Sequence, residues 1–245
     1  MDGKESEKLM TETLLCIDTS TPTGSVAIVD SKGVLAGRTR KDKAAQAEKL
    51  FTTIGELTAE CGVRIEEFSG VAVACGPGSF TGLRIAASTA KTLAWVTGKP
   101  LYAVGSLMSL AFGAADHGPP VLAMFDARQN ELYAACYRWS GTSRCGEELL
   151  APCALNVEKL SRLIPDLSSE GKIICLGQGF RKNQATITNL AGEFLRGVSE
   201  KLDQPNAEYL GKLVLASPDS YRVKNLTAFQ PAYLRMGQAG LRLGQ

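Results

Sequence analysis

Residues 71 to 96, VAVACGPGSFTGLRIAASTAKTLAWV, constrain the fold more than any other stretch, because an apolar run stops at a glycine-rich turn and resumes with helical character. Val71, Val73 and their small neighbours make the short continuous run expected of a strand buried on both faces of a sheet. Gly76, Pro77 and Gly78 end it, since Pro lacks the ladder donor and Gly admits backbone angles that other residues avoid. Ser79 or Thr81 is placed to cap the following helix, read from 83 to 96, and Gly98 with Pro100 closes it. Such a turn aims backbone amides at one spot, so Gly76, Pro77, Gly78, Ser79, Phe80, Thr81, Gly82 and Arg84 form a candidate anion cradle. It is not a Walker loop. Leu83 and Arg84 follow Gly82 where a Lys-Ser/Thr pair is required, and the glycine spacing is one residue too long for the dinucleotide fingerprint. The simpler reading, a tight turn that lets helix and strand pack closely, stays open beside it.

Earlier in the chain, residues 14 to 17 read as a buried strand that ends in Asp18-Thr19-Ser20. Thr21-Pro22-Thr23-Gly24 is turn chemistry, so 25 to 29 returns as an antiparallel strand, and Lys32-Gly33 turns into a third, 34 to 38. Residues 44 to 61 form a helix on which Ala47, Leu50, Ile54, Leu57 and Cys61 recur at alternating spacings of three and four. That is a coiled-coil-like seam, and Gly62 ends it. A strand at 101 to 104 and a helix from 106 to about 115 follow the central unit. The run His117-Gly118-Pro119-Pro120 breaks the pattern and marks a domain boundary.

Beyond it the order repeats. A strand, 121 to 125, ends in Asp126; Arg128-Gln129-Asn130 turns; a second strand runs from 132 to 139. Asp18 lies seven residues before Ser25, and Asp126 lies seven before Tyr133. Residues 173 to 176 run into Gly177-Gln178-Gly179 as the central strand runs into Gly76-Pro77-Gly78, and a late helix spans 206 to 217 with Leu210, Leu213 and Val214 on one face. Two tandem βββαβα halves predict an α/β, actin-like (ASKHA, ribonuclease H-like) fold. Its lobes would be 13–116 and 121–235, with a disordered N-terminal tail at 1–12 and a flexible one at 236–245.

Composition narrows the function classes without choosing among them. The 27 basic residues nearly balance the 25 acidic ones, so a net +2 gives no case for binding nucleic acid over the whole surface. The opening MDGKESEKLMTE has no apolar signal core, and no run approaches a membrane span, so no membrane partner is expected. Seven cysteines, odd in number and without a CxxC pair, are the usage of reduced thiols in a cytoplasm.

GPGSFTGLRIA, residues 76–86, resembles the hallmark of the TsaB family, also called YeaZ. LLCIDTSTPTGSVAIV, FDARQNELYAA and QPAYLR are similar to the family's other landmarks and fall in the same order, so the resemblance covers about 13 to 235. It implies the same actin-like fold. It also implies a subunit without catalysis of its own, which supports a TsaD-type transferase in making N6-threonylcarbamoyladenosine at position 37 of tRNAs reading codons that begin with A. Implied partners are the TsaD-type subunit, a TsaE-type ATPase in the larger complex, and a second copy when the chain is alone. Contact with tRNA would be indirect. No cofactor of its own is implied; ATP or ADP would sit at the interface with the partner.

Candidate residues follow from these two sources. Asp18 and Asp126 stand where related ATPases keep the carboxylates that handle a metal ion or water at a phosphate site. Each is also a natural cap for turn amides, which would leave the site vestigial. Thr19 to Pro22 replace the glycine that lets a hairpin approach phosphate closely. TsaD, the family's catalytic relative, holds a metal ion with two histidines on its first helix. This chain has only His117, and carries Gln46 where TsaB relatives often keep a His. A site of that kind needs two strong nitrogen ligands, so no metal and no catalytic residue are assigned, and the description of such proteins as metallopeptidases does not fit. The resemblance instead points to the paired helices as a partner interface: Ala47, Leu50, Ile54, Leu57 and Cys61 on the first, Ala86, Ala87, Ala90 and Ala94 on the second. The rigidity of Pro77 and a capped helix start favours a loop that orders the partner's site. A competing class is a small stand-alone ATPase or kinase using Asp18, Asp126 and the loop 76 to 82. The basic residues Arg222, Lys224, Arg235 and Arg242, with no acidic residue after Asp219, could steer tRNA, and 230–235 is read as a segment folding back on the sheet.

Overall fold

The computed structural model describes residues 12–41, 46–139, 146–168 and 171–234, with the side chains of 46–48 excluded. The expected tails, 1–11 of the first and 236–245 of the second, lie outside them, as do Cys145, Arg235 and Arg242. Strands β1 (Leu14–Asp18), β2 (Thr23–Asp30) and β3 (Gly33–Lys41) form an antiparallel meander. Helix α1 (Gln46–Cys61) then crosses to β4 (Gly70–Ala74), which pairs parallel with β1, and α2 (Phe80–Thr97) crosses to β5 (Leu101–Val104). After α3 (Ser106–Phe112) the same unit recurs as β6 (Val121–Arg128), β7 (Glu131–Arg138), β8 (Glu147–Asn156), α4 (Val157–Leu167), β9 (Ile173–Leu176), α5 (Gln178–Ala191) and β10 (Leu195–Arg196). The sheets have one strand order, β3-β2-β1-β4-β5 and β8-β7-β6-β9-β10. The tandem plan is therefore present, with a fifth strand added to each half, and the fold is actin-like.

Each sheet buries both faces, which is why its central strands are apolar without alternation. On β1, Leu15 and Ile17 face α1 and α2, whereas Leu14 and Cys16 face α6 (Ala207–Ala216). Opposite sides follow from the two-residue period of a strand. On the second sheet, α4 and α5 cover one face, and Leu107, Leu110 and Ala111 of α3 cover the other.

Helices α3 and α6 are thus exchanged across the boundary at 117–120. Helix α3 precedes the boundary yet caps the second sheet, and α6 follows it yet caps the first. The late helix assigned by sequence to the second half belongs physically to the first. Gly211 permits this, because a Cβ there would come within 2.9 Å of Val29 and Cys16 side-chain atoms. The two helices meet where Phe112 and Tyr209 stack edge to face, 6.0 Å between centroids. A short helix, α7 (Pro218–Tyr221), leads into the last described segment. Among the described residues no helix is long and apolar enough to cross a membrane.

The seam on α1 faces inward. Leu50, Ile54 and Leu57 are 4%, 2% and 0% exposed and pack with Ala86, Ala90 and Ala94 of α2 against Leu15, Ile17, Val71 and Val73. Ala87 is buried as well, Cys61 is half-buried against the same core, and the Ala47 side chain lies outside the described residues. Leu50, Ile54, Leu57, Ala86, Ala87, Ala90 and Ala94 are thus buried within the chain's own fold rather than exposed for a partner. The Leu50→Glu/Ile54→Glu double variant should therefore fail to fold. Two unpaired buried charges at several kcal/mol each rival the whole stability of a domain. Far-UV circular dichroism with a thermal scan would check this; a cooperative melt near that of the wild type would return the seam to the surface.

Candidate functional site

The loop between β4 and α2 lies directly against the β1–β2 turn. Ser79 caps α2, its Oγ accepting from Gly82 N at 3.2 Å, while its own amide donates to Ser20 O at 2.7 Å. Thr19 Oγ1 donates to Gly82 O at 2.7 Å. Gly78 and Gly82 permit this contact, because a Cβ on either would collide with the Ser20 or the Thr19 carbonyl oxygen. At the other end Gly76 N donates to Ser106 Oγ, and Ser106 N donates back to Gly76 O, both at 2.9 Å. The loop is thereby tied to α3 as well as to β1. Amides of Gly76, Ser79, Gly82 and Leu83 are all engaged within the chain. These contacts give the loop's rigidity a structural account and leave the anion cradle of the sequence reading with few donors.

Asp18 ends the central strand of the first sheet and Asp126 lies two residues before the end of the central strand of the second, and each is occupied differently. Asp18 is fully buried; its Oδ1 accepts from Ser20 N (2.9 Å) and Ser20 Oγ (2.6 Å), and its Oδ2 has no partner. Burial raises its pKa above the ordinary 3.8, only partly offset by the Ser20 hydrogen bonds. Asp126 is half-buried. Its Oδ1 accepts from Arg128 N at 3.0 Å, and its Oδ2 forms an ion pair with Lys182 Nζ at 2.7 Å. The turn after it, Arg128, Gln129 and Asn130, runs through three consecutive left-handed residues (φ 65°, 50° and 62°). Neither carboxylate is presented bare, as metal or water activation requires. An open hollow beside Thr19 and Lys49 is flanked by Arg38 and Arg40, whose guanidinium groups are paired with Glu60 and Glu56.

Two features go beyond the sequence reading. The outward faces of α1 and α2 carry Phe51, Trp95 and Val96, which are 56%, 77% and 71% exposed. Their signal was in the sequence, as large apolar residues off the inward stripe. Around them Gly55, Ala59, Ser88 and Thr92 are exposed and small. The second feature is the course of 222–234. Val223 N donates to Leu101 O, Lys91 Nζ donates to Thr227 O and Phe229 O, and Ala232 N donates to Cys75 O. Residues 222–229 run along the edge of β5 and the flank of α2, and within the segment read as folding back, 230–235, Ala232 reaches Cys75 at the start of the loop.

Residues 39–213 match the family model of TsaD, tRNA N6-adenosine threonylcarbamoyltransferase. The tRNA threonylcarbamoyladenosine biosynthesis protein TsaB of Bacillus subtilis is 34% identical over 127 residues, covering 52% of this chain and 56% of that protein. The chain thus matches about half the length of that relative. TsaB of Escherichia coli is 28% identical over 176 residues, covering 69% and 72%. Two solved structures from Pseudomonas aeruginosa, one of YeaZ and one of an uncharacterized protein similar to peptidase YeaZ, superpose with TM-scores of 0.73 and 0.74 at 26% and 25% identity. Each covers 91% of this chain and all of its own. With the family model spanning most of the chain and the relatives and structures converging on one branch, the chain belongs to the TsaD-related family, within its TsaB (YeaZ) branch.

Proposed function

We propose that this protein is a subunit without catalysis of its own in the synthesis of N6-threonylcarbamoyladenosine in tRNA, and that it binds and supports a TsaD-type transferase through the outward faces of α1 and α2. The observation that carries this reading is the exposed Phe51, Trp95 and Val96 set among small residues on two adjacent helices. Large aromatic side chains on an open face are the anchors of protein interfaces, and small neighbours let another helix pair approach closely. A second copy of the chain would use the same faces when the partner is absent. The reaction itself, transfer of a threonylcarbamoyl group from its AMP ester to adenosine N6, would take place on the partner, with a TsaE-type ATPase also engaged. The occupied state of Asp18 and Asp126 supports placing the chemistry elsewhere.

Three outcomes test this. Phe51→Ser/Trp95→Lys should leave the monomer folded, because both side chains are exposed, and should weaken association with the cognate TsaD-type subunit by about 2 kcal/mol or more, roughly thirtyfold. Light scattering of the mixed proteins reads the result; a complex of unchanged mass and affinity would move the interface to another surface.

Asp18→Asn should raise thermal stability at pH 7 by on the order of 1 kcal/mol, since the amide keeps the acceptor for Ser20 and removes a buried charge. The sign follows from the raised pKa. Wild-type stability is fullest below the ordinary carboxylate value and declines as pH rises toward the folded value, so the advantage of Asn should vanish in acid. Tests of ATP turnover on the same pair should find no loss. A large drop in turnover would favour the stand-alone ATPase.

Gly78→Val should lower the melting temperature, because the new side chain meets the Ser20 backbone. Modification per folded, partner-bound molecule should persist. If the folded complex instead loses modification, the loop orders the partner's active site.

A further inference from the structure

The sequence from Phe68 to Ala115 contains no Asp or Glu, and neither does anything after Asp219. These two carboxylate-free stretches, far apart in the chain, are laid side by side. Arg222 bridges to Tyr102, Val223 N donates to Leu101 O at 2.9 Å, and Lys91 Nζ donates to Thr227 O and Phe229 O at 3.0 Å each. Ala232 N then reaches Cys75 O at 2.7 Å. The surface they share carries Arg84, Lys91, Lys99, Arg222 and Lys224, in a protein whose overall charge is only +2. Glu12 and Asp219 act on Tyr102, beside Arg222 at the far end of the segment. Among the described residues none of these five cations is paired with a carboxylate.

At the loop end the surface finishes in an open aromatic cluster. Phe80 and Tyr233 are 42% and 37% exposed, with centroids 5.2 Å apart and planes inclined by 43°. The Arg84 guanidinium lies 3.8 Å from the Phe80 centroid and 5.8 Å from that of Tyr233, and its Nε donates to Tyr233 Oη at 3.1 Å. Among the described residues its other N–H groups meet no carboxylate. Ring faces beside an unneutralised guanidinium, at the end of a basic track without acidic residues, match a polyanion that also carries flat apolar faces. Single-stranded RNA has both. An acidic protein surface would use the cations but would have no need of the rings.

We propose that this face docks a single-stranded stretch of RNA, with a base stacked on Phe80 and Tyr233 and the backbone phosphates held by Arg84, Arg222 and Lys224. The proposal rests on the reading of the protein as part of a tRNA-modifying assembly, and makes an unpaired tRNA loop the occupant. Trp95 and Val96, in the proposed partner face, stand near the other end of α2, about 22 Å along the helix from Phe80.

The test is fluorescence anisotropy of the full chain with a labelled RNA hairpin carrying an unpaired loop, and with a blunt RNA duplex of equal charge, titrated at two salt concentrations. The hairpin should bind better than the duplex. Arg84→Glu should weaken hairpin binding about tenfold and flatten its salt dependence, and Tyr233→Ala should weaken it about fivefold with the salt dependence kept. Lys224→Glu, on an exposed side chain distant from the aromatic cluster, gives a second charge variant should Arg84→Glu disturb folding. Absence of hairpin binding by the wild type, equal affinity across the variants, or equal binding of duplex and hairpin without dependence on Tyr233 would overturn the proposal. Association with the TsaD-type subunit is measured on the same variants. If Arg84→Glu releases the partner and leaves RNA binding unchanged, the face is a protein interface and the proposal is wrong. If Phe51→Ser/Trp95→Lys fails to release the partner while Arg84→Glu still weakens the hairpin, the RNA site stands and the interface reading falls.

Discussion

Both sheets are apolar on both faces, and everything else follows from the need to cover four faces with helices. Helices α1 and α2 cover one face of the first sheet, and α4 and α5 one face of the second. The remaining two faces are covered by helices from the opposite half of the chain, α6 and α3. That exchange joins the lobes more firmly than the linker at 117–120 does. It also sets the loop 76 to 82, since Ser106 at the start of α3 exchanges two hydrogen bonds with Gly76.

The central strand, turn and helix were legible because strand burial, a Gly-Pro-Gly stop and a Ser cap each leave a local signature. The tandem repeat was legible for the same reason, through the equal spacing of Asp18 to Ser25 and Asp126 to Tyr133. What the sequence could not supply was the address of a face. The spacing of Leu50, Ile54 and Leu57 fixes an apolar stripe on α1, yet a stripe that meets its own sheet and one that meets a partner have the same period. Phe51 and Trp95, outside that stripe, were the more telling residues. Leu210, Leu213 and Val214 likewise announced an amphipathic helix without saying which sheet it would cover. Strand β8 and helices α4 and α5 were not read at all, and the half-buried residues of β8 show why, since an edge strand alternates weakly.

The two aspartates sit at matching places in the two halves, and their surroundings differ. Asp18 is sealed in with Ser20 and held toward its neutral form by burial, whereas Asp126 is answered by Lys182 from α5. A carboxylate that must bind a cation or orient water needs solvent or substrate on its free oxygen. Here one free oxygen is buried and the other is neutralised.

The placement of α6 governs how the protein can be made. A ribosome delivers the strands and helices of the first sheet early, but the helix that seals its second face comes from residues 207 to 216, after the whole second sheet has been synthesised. Until then Leu14, Cys16, Ala27 and Val29 border an open apolar surface on the nascent chain. The first lobe cannot complete itself in order of synthesis, and a chain cut between the two sheets would leave each half with an uncovered face. Closure of the first lobe therefore waits for the second to be synthesised, and the lobes mature as one unit.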